Sequence, residues 1–260
     1  MAIELIDVKC PSGITGLVRP ITVRDINSLA SKKAKRSNHD IMGRFLSGVW
    51  TKTIDVGPYS GLESVEIGKG ISDWSNMLLG DRAFLIIESR RLTWGDDFFF
   101  VVGCRSCGKR IEWKVDLSEL EHSGLSQEAS DIISNNGLDA AISRVLPKSN
   151  SNIEFRLLRG FHQKMVSEAM EKGEGDGQIA GLLCRLAKID GIESPRARRK
   201  FVEDMHIVDV EYLRDEWEEA DICIQDQIEI ECPRCSFIHE VSLPIDERFF
   251  SAKSAKRRKR

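Results

Sequence analysis

An α+β fold of two corresponding units is predicted by three observations. Two Cys-x-x-Cys knuckles, Cys104/Cys107 and Cys232/Cys235, each lie between segments of strand-like alternation. Helical periodicity precedes each knuckle, over Trp74 to Arg91 and over Asp209 to Glu219. The chain also corresponds to itself. Cys104 and Cys232 stand at an offset of 232 − 104 = 128, and Glu112 and Glu240 each follow the first cysteine of their knuckle by eight positions. Val18-Arg19-Pro20-Ile21 matches Phe155-Arg156-Leu157-Leu158 at an offset of 156 − 19 = 137. The two offsets differ by nine, which loop-length changes absorb. The expected organisation is therefore a duplicated strand-helix-strand unit, each copy ending in a zinc-ribbon-like hairpin: residues 1–122 with the first knuckle, residues 123–250 with the second, and a basic tail, 251–260, expected to be disordered.

The elements follow in order. Ile3 to Val8 reads as a strand, Pro11-Ser12-Gly13 as a turn, and Leu17 to Ile21 as a second extended segment. Thr22 has an N-cap hydroxyl and Asp25 stands at the third helical position, so a helix is expected from about Val23 to Lys33. Lys32 to Asn38 is a basic surface stretch, and Val56 to Ser72, rich in Gly and Ser, reads as loop. Leu78, Leu79, Ala83, Phe84, Ile86 and Ile87 suit a largely buried helix from Trp74 to Arg91, with Asp81 a charge inside it. Thr93 to Asp97 breaks that helix. Phe98 to Val102 runs as a strand into the first knuckle, and Ile111, Trp113 and Val115 return with a period of two, the tight turn using Gly108.

After Asp116-Leu117-Ser118 the chain becomes polar and low order is expected. Ile153 to Leu158 restarts the pattern, a helix follows, and Gly173-Glu174-Gly175-Asp176-Gly177 suits a surface hinge. An apolar helix is expected from about Gln178 to Ile189, then a turn at Asp190-Gly191. Ser194-Pro195 is a helix start, with serine as N-cap and proline at the first helical position. Val210, Leu213, Arg214 and Trp217 mark the next helix, and Ile228 and Ile230 alternate into the second knuckle.

Composition bounds the function classes. With 38 basic and 41 acidic residues in 260, the net charge of −3 gives no chain-wide attraction for nucleic acid or an anionic membrane. The longest apolar runs, such as Ala83 to Ile87, fall far short of the roughly 20 residues of a spanning helix. Met1 to Lys9 carries Glu4 and Asp7 and lacks the pattern of a signal peptide, so a soluble protein is expected. Seven cysteines without an export signal favour reduced thiols over a disulfide framework. Cys10, Cys184 and Cys223 read as ordinary small hydrophobes.

The knuckles are the chemical signal. One Cys-x-x-Cys pair supplies two ligands, and two pairs complete the tetrahedral sphere of one structural Zn2+ ion held by Cys104, Cys107, Cys232 and Cys235. Such a closed sphere leaves no position for substrate, so the expected metal role is structural. A redox role would place a cysteine at a helix N-terminus, and neither knuckle is so placed. His206 and His239 are alternative ligands, but His239 alternates with Ile238 on what reads as an exposed strand face and His206 links two helices; four thiolates already suffice. Gly68-Lys69-Gly70 is too short for a phosphate loop, and no Ser/His/Asp or Cys/His grouping marks a catalytic centre, so no enzyme is expected. Lys253, Lys256, Arg257, Arg258, Lys259 and Arg260 form a tail without interleaved aromatics, the one place where nucleic-acid contact is considered. Phe249-Phe250 before it either closes the core or docks on a partner.

Taken in order, these segments resemble the phage baseplate protein family of the T-even bacteriophage type. The resembling pieces are Pro11-Ser12-Gly13 with Val18-Arg19-Pro20-Ile21-Thr22, Leu79-Gly80-Asp81-Arg82-Ala83-Phe84-Leu85, Thr93-Trp94-Gly95, Cys104-Arg105-Ser106-Cys107-Gly108-Lys109 with Val115-Asp116-Leu117, Phe155-Arg156-Leu157-Leu158, and Cys232-Pro233-Arg234-Cys235 leading to Phe249-Phe250. Ser236, where a glycine is typical, and the long basic tail depart from the pattern. The resemblance implies a non-enzymatic role in baseplate hub assembly, as a built-in component or as an assembly chaperone that leaves. Its partners would be other baseplate and tail proteins, with a homo-oligomer as a further option and no membrane. Its location would be the host cytoplasm during assembly, or the virion tail. The competing reading is a zinc-ribbon nucleic-acid-binding protein.

Overall fold

A computed structural model of the chain describes residues 4–30, 41–171, 177–246 and 248–251. The first half begins with an antiparallel hairpin, β1 (Ile6–Lys9) and β2 (Thr15–Val18), with Ile6 opposite Val18. Its turn needs Gly13, whose φ of +103° is open to glycine at little steric cost. Helices α1 (Val23–Ala30) and α2 (Ile41–Val49) then carry the chain back to β3 (Trp50–Asp55), which pairs antiparallel with β2. Asp25 accepts from the backbone N–H of Thr22 at 2.7 Å, half of a capping box, and takes Arg19 as its ion-pair partner at 2.8 Å. Helix α3 (Leu79–Trp94) precedes a second hairpin, β4 (Asp97–Gly103) and β5 (Arg110–Asp116).

The second half runs α4 (Gln127–Asn136), β6 (Ala141–Val145), β7 (Asn152–Arg156), α5 (Gly160–Glu171), α6 (Gly177–Arg185) and β8 (Leu186–Ile189). Strands β6, β7 and β8 form a three-stranded antiparallel sheet with β7 in the middle, as β2 is in the first half. Helices α7 (Pro195–Glu203) and α8 (Ile207–Ala220) lead to the hairpin β9 (Gln227–Glu231) and β10 (Ile238–Ser242). Among the described residues the fold is thus mixed α/β, with eight α-helices and four small antiparallel sheets.

One apolar core runs through both halves, from Val8, Phe45, Trp50, Trp74 and Leu85 to Phe155, Leu186, Leu213 and Phe249. Backbone bonds join the halves directly: Leu79 N–H donates to Leu158 C=O at 2.9 Å, Gly160 N–H to Met77 C=O at 3.0 Å, and Phe161 N–H to Ser75 C=O at 2.8 Å. Phe249 and Phe250 close the core. Phe249 packs edge-on to Phe98 and Phe250 to Phe45, each at 5.0 Å between centroids. The buried guanidinium of Arg90 lies over both Phe98 and Phe249 and donates to the Gly95 and Asp97 carbonyls at 2.9 Å; burial lowers its pKa to about 10.

The structure departs from the sequence reading at several elements. Helix α3 begins at Leu79, because Asp73 binds the Ser75 N–H at 2.8 Å and holds the preceding residues in turns, and it runs through Trp94 to a C-cap at Gly95, φ +82°. The polar stretch after Ser118 is ordered: Ser126 caps α4 by accepting from Ala129 N–H at 3.2 Å. That helix buries only Ala129 and Ile133, too few positions to show as a periodic pattern. The apolar run after Gln178 ends as helix at Arg185; Leu186 to Ile189 is a strand because β7 supplies a pairing edge, with Phe155 opposite Leu186. The basic stretch 32–38, most of the 173–177 linker and residues 252–260 lie outside the described residues.

Candidate metal centre

Each knuckle is the turned end of a hairpin and is built by the same backbone bonds. Cys104 N–H donates to Lys109 C=O at 2.8 Å and Gly108 N–H to Cys104 C=O at 2.9 Å; in the second knuckle Cys232 N–H donates to Phe237 C=O at 3.0 Å and Ser236 N–H to Cys232 C=O at 2.9 Å. The turn requires a left-handed residue, which is Gly108 at φ +69° and Ser236 at φ +53°. Ser236 thus takes the conformation despite its side chain.

The hairpins bring the four cysteines together. Cys104 Sγ and Cys235 Sγ are 3.7 Å apart, as are Cys107 Sγ and Cys232 Sγ, and all four ligand atoms lie within 4.8 Å of one another. Both close contacts cross from one half of the chain to the other. These separations are far beyond the ~2.05 Å of a disulfide, and all four are free thiols. A tetrahedron with metal–sulfur bonds of ~2.3 Å has edges of ~3.8 Å, so the cluster has the dimensions of an S4 metal site. The four cysteines could therefore hold a metal ion.

The seat is apolar. Ile111 and Ile230 are buried beside Cys104 and Cys232, with Phe100, Val102, Trp113, Ile228 and Val241 packed around them. Cys104 and Cys232 form the buried side, and Cys235 is exposed. Burial opposes the Cys232 thiolate, but the backbone N–H groups of Arg234 and Cys235 and the neighbouring thiols outweigh it and bring its pKa down to about 6. The Lys109 N–H favours the Cys107 thiolate, yet burial and the three other sulfurs push its pKa up to about 11. Four thiols this close lose their protons one after another, the last against the charge of the first, and a central cation is what allows four thiolates together.

The other singled-out residues lie elsewhere. His239 is buried, not exposed: it sits opposite Ile230 on the inward face, and its neighbour Ile238 points out at 59 % exposure. Among the described residues neither ring nitrogen of His239 has a hydrogen-bond partner. His206 caps α8, its Nδ1 accepting from Val208 N–H at 3.2 Å. The Gly68–Gly70 segment is tied to β3 through Gly68 N–H to Thr53 C=O and Thr53 N–H to Lys69 C=O. Cys10 is buried in the core, where burial and the Asp81 and Glu88 charges push its thiol well up; burial also raises Cys184 and Cys223. The sequence marks Asp81 as a charge inside a buried helix and Asp209 as the start of another; what it does not show is that both are buried holds on hairpin turns, although their offset of 209 − 81 = 128 repeats that of the knuckles.

Fold and site define a mixed α/β protein whose two halves meet at a four-thiol cluster. The family model described as the T4 bacteriophage base plate protein matches residues 6–251, nearly the whole chain, and the chain belongs to this family. It is a phage baseplate protein. No curated protein and no solved structure matches it.

Proposed function

We propose that this chain is a non-enzymatic protein of baseplate hub assembly, built as two duplicated units (residues 1–122 and 123–250) and clasped by one structural zinc ion on Cys104, Cys107, Cys232 and Cys235. The observation that carries the clasp is that each close Sγ–Sγ contact joins a cysteine of one half to a cysteine of the other. A borderline-soft ion with no geometric preference of its own suits four thiolates at tetrahedral spacing. With four protein ligands the ion has no open position, so it supplies folding energy and holds the hairpins together. The family membership supports other tail and baseplate proteins as partners, whether the protein stays in the virion or works in the host cytoplasm and leaves. Both halves carry a three-stranded sheet with two helices between its second and third strands and end in a hairpin, which one helix precedes in the first half and two in the second.

The test is zinc content per chain for wild type, Cys104→Ser and Cys232→Ser, joined to co-purification with the phage's tail proteins. One shared site predicts one zinc per wild-type chain and nearly none in either variant; two separate sites would leave about half in each. Wild-type protein that holds zinc but captures no tail protein would refute the assembly role while leaving the clasp standing.

A further inference from the structure

The clasped end of the molecule carries more than metal ligands. Arg105, Lys109 and Arg110 on the first knuckle and Arg234 on the second all stand exposed around the cluster. Between the knuckles lies a hollow of about 510 Å³ lined by Val101, Lys109, Arg110, Ile111, Glu112 and Pro233. Val101, Ile111 and Pro233 give it an apolar part, and Lys109, Arg110 and Glu112 bring two cations and one carboxylate to its walls. Phe237 and Ile238, at 42 % and 59 % exposure, extend the apolar surface beyond the second knuckle. Burying such side chains is favourable, and arginine and aromatic groups are enriched at the energetic centres of protein interfaces.

The cations are more numerous than the metal centre needs. Four thiolates and a divalent ion sum to −4 + 2 = −2, and the four cationic side chains with the Glu112 carboxylate leave 4 − 2 − 1 = +1 at the tip. The hairpin stem immediately behind is of the opposite sign. Glu229, Glu231 and Glu240 are exposed on β9 and β10, with Glu229 directly opposite Glu240. The positive area is therefore short and bounded by carboxylates. A nucleic-acid strand brings a phosphate every ~3.4 Å along its length and would run from the tip onto that acidic stem. A short acidic protein segment would not.

We propose that the knuckle tip is a docking surface for a short acidic segment of a partner protein, whose carboxylates meet Arg105, Lys109, Arg110 and Arg234 while one apolar side chain enters the hollow over Val101 and Pro233. The surface rests on the zinc reading in needing both knuckles held side by side and in the charge of the filled site.

The probe is a fluorescein-labelled peptide of glutamates flanking one leucine, titrated against the full chain, with zinc content measured on the same samples. For the double variant Arg105→Glu/Arg110→Glu the expected result is unchanged zinc with peptide affinity at least about tenfold weaker. Replacing the peptide's leucine by serine should weaken wild-type binding severalfold. The basic tail is common to both proteins, so equal affinity of wild type and variant would overturn the proposal by assigning binding to the tail. Loss of zinc in the double variant would overturn it by making the cations part of the metal centre. A single-stranded oligodeoxynucleotide of matched charge binding wild type more tightly than the peptide would do so by making the surface a nucleic-acid site. Wild type without zinc, by contrast, would contradict the clasp itself.

Discussion

Asp81 and Asp209 occupy the same position in two helices, at the offset that also separates the knuckles, and each turns its carboxylate onto the backbone of a hairpin turn in its own half. Both are the third residue of their helix and fully buried. Asp81 accepts from Ser12 N–H at 3.1 Å; Asp209 accepts from Lys148 N–H at 2.7 Å and Ser149 N–H at 3.1 Å. Ser12 and Ser149 are related by 149 − 12 = 137, the offset of Arg19 and Arg156. The residues that follow them, Gly13 and Asn150, are the left-handed ones, at φ +103° and +52°. Arg19 and Asp81 are separated by 81 − 19 = 62 and Arg156 and Asp209 by 209 − 156 = 53, so the difference of nine falls between the three-stranded sheet and the helix that locks it. There the first half carries the irregular Val56-to-Leu78 segment and the second carries α7. A lock repeated at both offsets supports the proposed duplication more strongly than the sequence matches alone.

Asp81 differs from its counterpart in also accepting from the buried Tyr59 hydroxyl, and burial raises its pKa. A carboxylate whose folded pKa lies above its unfolded value binds its proton more tightly when folded. Its contribution to stability therefore falls as pH rises from the unfolded value, about 3.9, through the folded one. Asp221, raised by burial against the effect of Arg185, acts in the same direction. Asp81→Asn keeps an acceptor and removes the titration. Urea midpoints from about pH 4 to 7 should decline more steeply for wild type than for this variant; parallel profiles would show that Asp81 does not titrate there. Asp81→Ala strands the Ser12 N–H and the Tyr59 hydroxyl and should cost about 1–3 kcal/mol.

Metal removal should loosen the contact between the halves as well as the knuckles. The proposed zinc would compensate four adjacent thiolates at the tips of β4–β5 and β9–β10, and the apolar seat formed by Ile111 and Ile230 depends on their proximity. Chelation with EDTA should lower the midpoint of thermal unfolding and speed amide exchange in all four strands. Exchange that rises in one hairpin alone would contradict a shared site.

The second knuckle should be improvable at one atom group. Ser236 holds φ +53° where Gly108 holds +69°, and a side chain in that region carries a penalty of ~1–2 kcal/mol, partly offset by the greater freedom glycine has when unfolded. Ser236→Gly is expected to stabilise the protein by about 0.5–1 kcal/mol in urea unfolding and to leave zinc stoichiometry unchanged. A loss of stability would mean that the Ser236 side chain contributes a contact of its own.

What was legible in the sequence follows from how local each determinant is. The knuckle hairpins could be read because Phe98 to Val102 and Ile111 to Val115 alternate around fixed cysteine spacing, and a turn of that kind is specified within a few residues. The grouping of the four cysteines also followed, since ligand number demands a second pair. Strand Leu186–Ile189 was not legible, because a short apolar run becomes strand or helix according to whether an edge such as β7 is waiting for it. His239 was misplaced for a similar reason: alternation divides a strand into two faces, but only the opposing hairpin decides which face is covered. Asp81 reads in sequence as a charge inside a helix and Asp209 as a helix start, and neither shows its role until the hairpin turns that they hold are in place.

Two glycines on helices should respond in opposite ways to the same substitution, which separates packing between the halves from helix propensity. At Gly80, on the first turn of α3, a methyl carbon would lie 2.7 Å from the Ile222 carbonyl oxygen and closer still to its side chain, so the helix reaches the second half only because no side chain intervenes. Gly181, in α6, has nothing within 4 Å of where its methyl would lie. Gly80→Ala must push apart backbone that Leu79 and Leu158 hold together and should destabilise by about 1–3 kcal/mol or more. Gly181→Ala should stabilise by about 0.4–1 kcal/mol by restricting the unfolded chain. Urea unfolding of both variants checks the pair. A tolerated Gly80→Ala would mean that the contact of α3 with Ile222 is loose enough to yield, and that the proposed clasp at the knuckles carries most of the attachment between the two halves.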